Sequence, residues 1–167
     1  MKSTKLDNDK YYTPIDLAKE CIDKTFKIIG KENITEIIEP SAGNGSFSNQ
    51  IANCIAYDLV PESDNIKTAD FLDMKLGYKS GRLFIGNPPF GVHNKLVVDF
   101  YDKCCECGDY IAFILPISCY KNDIKLYKFD LIYSEDLGLK YYTDRELHCC
   151  FNIYKRPNSG MFNPKPN

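Results

Sequence analysis

Nowhere does this sequence hold an apolar run long enough to span a bilayer. Neither sign of charge dominates it: 21 basic residues stand against 23 acidic ones, a formal net charge of −2. The first absence excludes a helical membrane protein. The second removes the overall electrostatic footprint of a nucleic-acid binder. Internal repeats and low-complexity segments are missing as well, which excludes a fibrous array and a disordered tail protein.

Residues 1–10 are polar and charged, without the apolar stretch of a secretory signal, so the chain is expected to stay in the cytoplasm. Its eight cysteines, Cys21, Cys54, Cys104, Cys105, Cys107, Cys119, Cys149 and Cys150, are then expected as reduced thiols and not as a disulfide framework. Cys104 and Cys107 have C-x-x-C spacing. Cys149 and Cys150 lack it and should point to opposite faces of a strand, so no metal site is expected. What remains, 167 residues of which 44% are hydrophobic, has the size and composition of one soluble globular domain. Charge is spread unevenly, with 13 basic and 17 acidic residues up to Tyr120 and 8 and 6 from Lys121 onward. That bias points to a basic surface in the last third.

Pro14 suits a first helical turn, and Ile15, Ala18, Ile22, Phe26 and Ile29 recur every three or four residues. The spacing predicts a helix over 15–29 that Gly30 stops. Ile34, Ile37 and Ile38 form a β-branched run ending at Glu39-Pro40, the first strand. A glycine-bearing turn, Ser41-Ala42-Gly43-Asn44-Gly45, leads into a short helix-like stretch over 46–52. A second strand follows at 54–59 and a third element near 66–70. Arg82–Gly86 reads as a buried strand running into Asn87-Pro88-Pro89-Phe90, where two prolines forbid helix and ladder alike. Leu96, Val97, Phe100 and Tyr101 mark a helix, 110–115 is the most hydrophobic strand, and 129–133 and 149–154 are two last strands joined through 136–146. Residues 157–167 are expected as a flexible tail behind one catalytic unit, 1–156.

Short strands rich in Ile, Phe and Val alternating with helices predict an α/β fold, a mainly parallel sheet with helices on both faces. Such a sheet binds its ligand at the carboxyl ends of its strands. Glu39, Asp58, Asp70 and Asn87 all fall at strand ends in this reading, so four polar side chains converge on one edge. Gly43 and Gly45 sit where the backbone approaches a ligand or turns through positive φ. The turn is no Walker loop, since no Gly-Lys-Ser/Thr follows, and the third glycine of a dinucleotide fingerprint would fall at Ser48. Glu39, just before the turn, disfavours a pyrophosphate and suits a cation such as an ammonium or a sulfonium. Asp58, about 20 residues on, is placed to accept hydrogen bonds from a ribose diol. An adenosine carrying a charged amino-acid tail satisfies both.

These residues resemble the S-adenosylmethionine-dependent amino methyltransferases, most closely the N6-adenine DNA methyltransferases. Glu39-Pro40-Ser41-Ala42-Gly43-Asn44-Gly45-Ser46-Phe47 is similar to their cofactor loop, and Asn87-Pro88-Pro89-Phe90 to their catalytic tetrapeptide. Tyr12-Thr13-Pro14 resembles the upstream segment that touches the cofactor's methionine part, and Asp70-Phe71 the pair that reads its adenine. The resemblance implies a Rossmann-like class I methyltransferase fold with seven strands, S-adenosyl-L-methionine as cofactor, and methyl transfer to the N6 amine of adenine in DNA. It also implies cofactor-binding roles for these residues and for Asp58, with Asn87 serving both cofactor and substrate.

The tetrapeptide's chemistry follows from its groups. The lone pair of an exocyclic amine is delocalised into the ring, so the nitrogen is a poor nucleophile. If the Asn87 side-chain oxygen and the Pro88 carbonyl each accept one amine hydrogen, the nitrogen is drawn toward tetrahedral geometry and the lone pair is released. Phe90 offers a face for the base, and stacking worth roughly 1–3 kcal/mol helps offset extrusion from a duplex. His93 after the tetrapeptide is expected in solvent, and His148 lacks the neighbours of a hydrolase triad.

The 77 residues after Phe90 are largely taken up by three strands, so no separate target-recognition domain is expected. Specificity would then be low, come from a protein partner, or give way to recognition of RNA or single strands. Three alternatives compete with adenine methylation in DNA: methylation of adenine or guanine amines in RNA, N5-methylation of a protein glutamine, and a non-catalytic subunit serving a partner. The glutamine enzymes usually carry Tyr at the fourth tetrapeptide position and an added helical domain. A non-catalytic subunit would be marked by loss of the tetrapeptide or of the loop glycines, and neither is lost.

Overall fold

A computed structural model of the chain describes residues 12–167. The polar stretch 1–10 and Tyr11 lie outside the described residues. Helix α1 (Ile15–Ile29) buries Leu17, Ala18, Cys21, Ile22, Thr25 and Ile29, and ends where the Gly30 N–H bonds back to the Phe26 carbonyl. Ile15, expected in the buried stripe, is 67% exposed, because Leu17 and Cys21 carry the inward face instead. The strands are β1 (Glu36–Glu39), β2 (Ile55–Asp58), β3 (Lys67–Thr68), β4 (Arg82–Gly86), β5 (Tyr110–Pro116), β6 (Asp130–Tyr142) and β7 (Arg145–Lys155), with helix α2 (Lys95–Cys107) between β4 and β5.

They form one seven-stranded sheet in the order β3-β2-β1-β4-β5-β7-β6. The first five strands are parallel. β7 slots antiparallel between β5 and β6. Strand β4 shows how the layers arise, since alternate side chains of a strand point to opposite faces. Leu83 and Ile85 pack with α1 residues Ala18 and Ile22, while Phe84 packs on the other face with Val97, Tyr101 and Cys104 of α2. Both faces of the central strands are covered, which is why they read as unbroken apolar runs. Cys149 and Cys150 likewise fall into the two opposite cores.

Three elements differ from the sequence reading. The helix-like stretch over 46–52 is only a 3₁₀ turn at Ser48–Gln50. The third element shrinks to the two-residue β3. The segment 136–146, expected as a connection, is itself hairpin, because β6 runs to Tyr142 and β7 starts at Arg145. Its pattern escapes a search for apolar runs: all of β6 but Tyr142 is half-buried or exposed, and a register shift between Asp136 and Leu139 breaks the alternation. At that bulge the Gly138 N–H donates to Asp136 Oδ1 at 2.8 Å. Within residues 157–167, expected as a tail, the Phe162 ring lies 6.2 Å from that of Phe129, and the Asn163 N–H donates to the Lys128 carbonyl at 2.9 Å.

All eight cysteines are free. Among the described residues no cluster of three metal-ligating side chains occurs, and no helix is long and apolar enough to cross a membrane.

Candidate functional site

The carboxyl ends of β1, β2 and β4 deliver Glu39, Asp58 and Asn87 to one edge of the sheet, as the parallel topology requires. The loop after β1 is held against β2 by two contacts. The Ala42 N–H donates to the Tyr57 carbonyl at 2.8 Å, and the Gly43 N–H to Asp58 Oδ2 at 2.8 Å. The other Asp58 oxygen accepts the Val60 N–H at 2.9 Å. Asp58 thus organises the loop as well as facing the cleft, and a diol would use its remaining lone pairs.

Gly43 has φ +59, and a Cβ there would lie 2.8 Å from the Tyr12 ring. Only glycine lets that ring lie against the loop. The Tyr12 hydroxyl donates to Glu62 Oε1, and the hairpin turn grips its backbone: Tyr12 N–H donates to Thr143 Oγ1 at 3.0 Å, and Thr143 N–H to the Tyr12 carbonyl at 3.2 Å. Beside Tyr12, buried Thr13 accepts a hydrogen bond from Asn87 Nδ2 at 3.2 Å, which orients the carboxamide and makes Oδ1 its acceptor end.

Glu39 is 2% exposed and accepts the Ser48 N–H at 3.0 Å. Its side chain lies against Gly86, where a Cβ would come within 3.1 Å of Oε2. Burial holds its carboxyl well above the usual range, the nearby Asp58 charge pushes the same way, and the Ser48 hydrogen bonds oppose the shift. Among the described residues no lysine or arginine pairs with Glu39 or Asp58. Two buried carboxylates without a counter-charge suit a ligand that brings positive charge and hydroxyl donors.

One cleft gathers Tyr12, Thr13, Glu39, Asp58 and Asn87 with the loop residues Ser41, Gly43, Asn44 and Phe47. A second opens beside it, sharing Ser41 and Asp58, and gathers Pro40, Asp70, Phe71 and Pro89. It is the more apolar of the two. The Asp70 carboxylate accepts the Leu72 N–H at 3.1 Å. Phe71 is 2% exposed, stacked on Phe100 at 5.5 Å and edge-on to Phe84, so little of its ring faces the cleft. Pro14, Gly45, Pro88 and Phe90 line neither cleft. Phe90 is half-buried and packs against both hydrophobic cores. Sequence reasoning missed Leu59 and Leu72, which wall the second cleft, and Leu96 and Phe100, which α2 adds to it. The last pair was legible as an i, i+4 spacing. Nothing in the sequence marked Thr143.

No family model and no curated protein matches this sequence. Solved structures do match in three dimensions. A Pyrococcus horikoshii protein assigned as an RNA methyltransferase superposes with a TM-score of 0.73 at 16% identity, covering 93% of this chain and 90% of its own. A Listeria monocytogenes protein assigned as a class I S-adenosylmethionine-dependent methyltransferase gives 0.69 at 13%, covering 95% and 64%. The 23S rRNA methyltransferase ErmE gives 0.59 at 11%, covering 89% and 70%. At such identities what is shared is the architecture, and this chain has the Rossmann-like class I methyltransferase fold.

Proposed function

We propose that this chain binds S-adenosyl-L-methionine and transfers its methyl group to the N6 amine of adenine in a nucleic acid, with DNA as the favoured substrate. The observation that carries the reading is the junction at Thr13. One hydrogen bond ties Asn87, the first residue of the tetrapeptide, to the segment that covers the glycine loop and the two buried carboxylates. The residues fit the cofactor. The Asp58 carboxylate and, in its ionised form, Glu39 offer negative charge to an ammonium, a sulfonium and a ribose diol, Gly43 brings the loop to the cleft without a side chain, and the apolar second cleft suits an adenine ring.

When bound, the cofactor supplies an electrophilic methyl on a sulfonium. The chain's own groups prepare the nucleophile. Asn87 Oδ1 and the Pro88 carbonyl accept the two amine hydrogens, which favours the geometry the nitrogen has only on the way to a fourth bond. Prolines 88 and 89 fix the backbone that presents that carbonyl. Attack at a methyl needs alignment more than a strong base, so positioning supplies much of the rate.

RNA is the second reading, supported by the rRNA activity in the name of one structural neighbour. The test is to incubate the purified chain with methyl-labelled cofactor and duplex DNA, single-stranded DNA, RNA or protein, then identify the labelled moiety by mass spectrometry. N6-methyladenine in DNA, absent with Asn87→Ala, is the expected result. Label in RNA alone would replace DNA as substrate, and no transfer to any acceptor would overturn the assignment.

A further inference from the structure

On the flank of α2 turned away from the clefts, a groove runs between the helix and the segment that follows β5. Leu96 and Phe100 face the second cleft, whereas Val97 and Val98 face this groove. Its near end, beside the loop that leaves the tetrapeptide, is apolar: Val97, Val98 and Leu126 form the wall, with Asn94, Ser118 and Asn122 at the rim. Ile124 stands over it 65% exposed. Val98, Ile124 and Lys125 also line a wider, shallower continuation, where His93, Lys95, Lys128 and Lys165 come in. One groove therefore passes from an apolar end to a lysine end.

The charges there do not cancel. Lys95 pairs with Asp99 at 3.1 Å and Lys128 with Asp102 at 3.2 Å, leaving Lys125 and Lys165 without a carboxylate partner among the described residues. This local surplus sits on a chain of net charge −2, so affinity for a polyanion has to come from such a site and not from the molecule's overall field. The apolar end fits the face of a base, and a base shows that face only when it is not stacked in a duplex. The backbone leads the same way: Gly91, His93 and Asn94, directly after the tetrapeptide, take φ of +74, +53 and +60 and turn the chain from Phe90 to the groove mouth.

We propose that this groove holds the unpaired strand flanking the target nucleotide, with a neighbouring base on Val98 and Ile124 and its phosphates on Lys125, Lys128 and Lys165. The proposal rests on the reading that the substrate is a nucleic acid. It gives this chain its own hold on the substrate beside the tetrapeptide, and it makes single strands or extruded loops the preferred form.

The test measures fluorescence anisotropy of the full chain with a short labelled adenine-containing oligonucleotide, single-stranded or annealed, across a salt series. Cofactor affinity is measured in parallel by calorimetry. The single strand is expected to bind more tightly than the duplex. Lys125→Glu with Lys165→Glu should weaken it by about tenfold or more at low salt and flatten the slope of log affinity against log salt by about one to two. Cofactor affinity should stay unchanged, because neither lysine lines the clefts. Equal affinity in the variant, a duplex bound as tightly as the strand, or no polynucleotide binding at all would each overturn the groove. Lysine-dependent strand binding without cofactor binding would keep the groove and overturn methyl transfer. Methylation of protein with no strand binding would do the reverse.

Discussion

Glu39 is the side chain on which the cleft's electrostatics turn, since it is buried, acidic and, among the described residues, without a lysine or arginine to meet it. Above the ordinary carboxylate pKa of 4.5 the unfolded chain has released a proton that the folded chain still holds on Glu39. The folded state then binds more protons than the unfolded one, so stability contributed by this group falls as pH rises from 4.5 toward the raised value. Glu39→Gln is expected to remove that part of the slope in urea unfolding measured across pH. A cationic ligand needs the ionised form, so wild-type cofactor affinity should climb over the same window, and an affinity flat with pH would argue against Glu39 as its partner. Asn87 makes the complementary case. Asn87→Ala deletes an acceptor used mainly in the transition state, so single-turnover rates should drop on the order of 10²–10³-fold while calorimetry finds cofactor affinity within about twofold. At this scale the sequence was informative: Glu39, Asp58 and Asn87 were readable as strand-end polar residues. Asp58's second duty, holding the Gly43 and Val60 amides, was not readable, because it depends on where the loop folds back.

The hairpin of β6 and β7 does more than close the sheet. Its turn reaches the amino-terminal segment and holds Tyr12 by two hydrogen bonds, and the Tyr12 ring in turn lies against Gly43. Thr143→Val keeps the shape and the backbone N–H but removes the hydroxyl that accepts from Tyr12. Loss of one such bond, about 0.5–1.5 kcal/mol, should loosen Tyr12 and weaken cofactor affinity by about two- to tenfold. Calorimetry reads the change, and unchanged affinity would mean that Tyr12 is not needed in place. Gly43→Ala should act more severely, since the added carbon meets the Tyr12 ring at 2.8 Å at a φ of +59. The hairpin was poorly legible in the sequence for a physical reason. Strands covered on both faces announce themselves as apolar runs, whereas a half-exposed ribbon with a bulge keeps neither an apolar run nor a clean alternation.

Across the whole molecule, binding and folding are linked. A ligand that binds only the folded chain adds about 2.7 kcal/mol at a hundred times its dissociation constant, so S-adenosylmethionine should move the urea midpoint upward by the corresponding amount. A midpoint that does not respond would contradict the cofactor assignment. The thiols offer an independent check on the packing. Burial pushes Cys21 and Cys54 up to about 12 and Cys149 to about 11. The folded chain at mildly alkaline pH should therefore resist alkylation at its six buried cysteines, Cys21, Cys104, Cys105, Cys107, Cys149 and Cys150, and react fully only when unfolded.

What the sequence determined by itself is the local part of this protein. Short β-branched runs, the periodicity of α1, a glycine turn after a strand, and two prolines that stop a strand are consequences of backbone sterics and side-chain size, which act between near neighbours. From them the parallel sheet and the edge where Glu39, Asp58 and Asn87 gather could be worked out. The tertiary structure alone decided which distant groups meet. Thr13 lies 74 residues before the Asn87 amide it receives, and Thr143 lies 131 residues after the Tyr12 N–H it receives. The lysines of the α2 groove come from a helix, a loop and the chain's last residues. Such meetings depend on how the layers close over one another, and no short-range pattern encodes them.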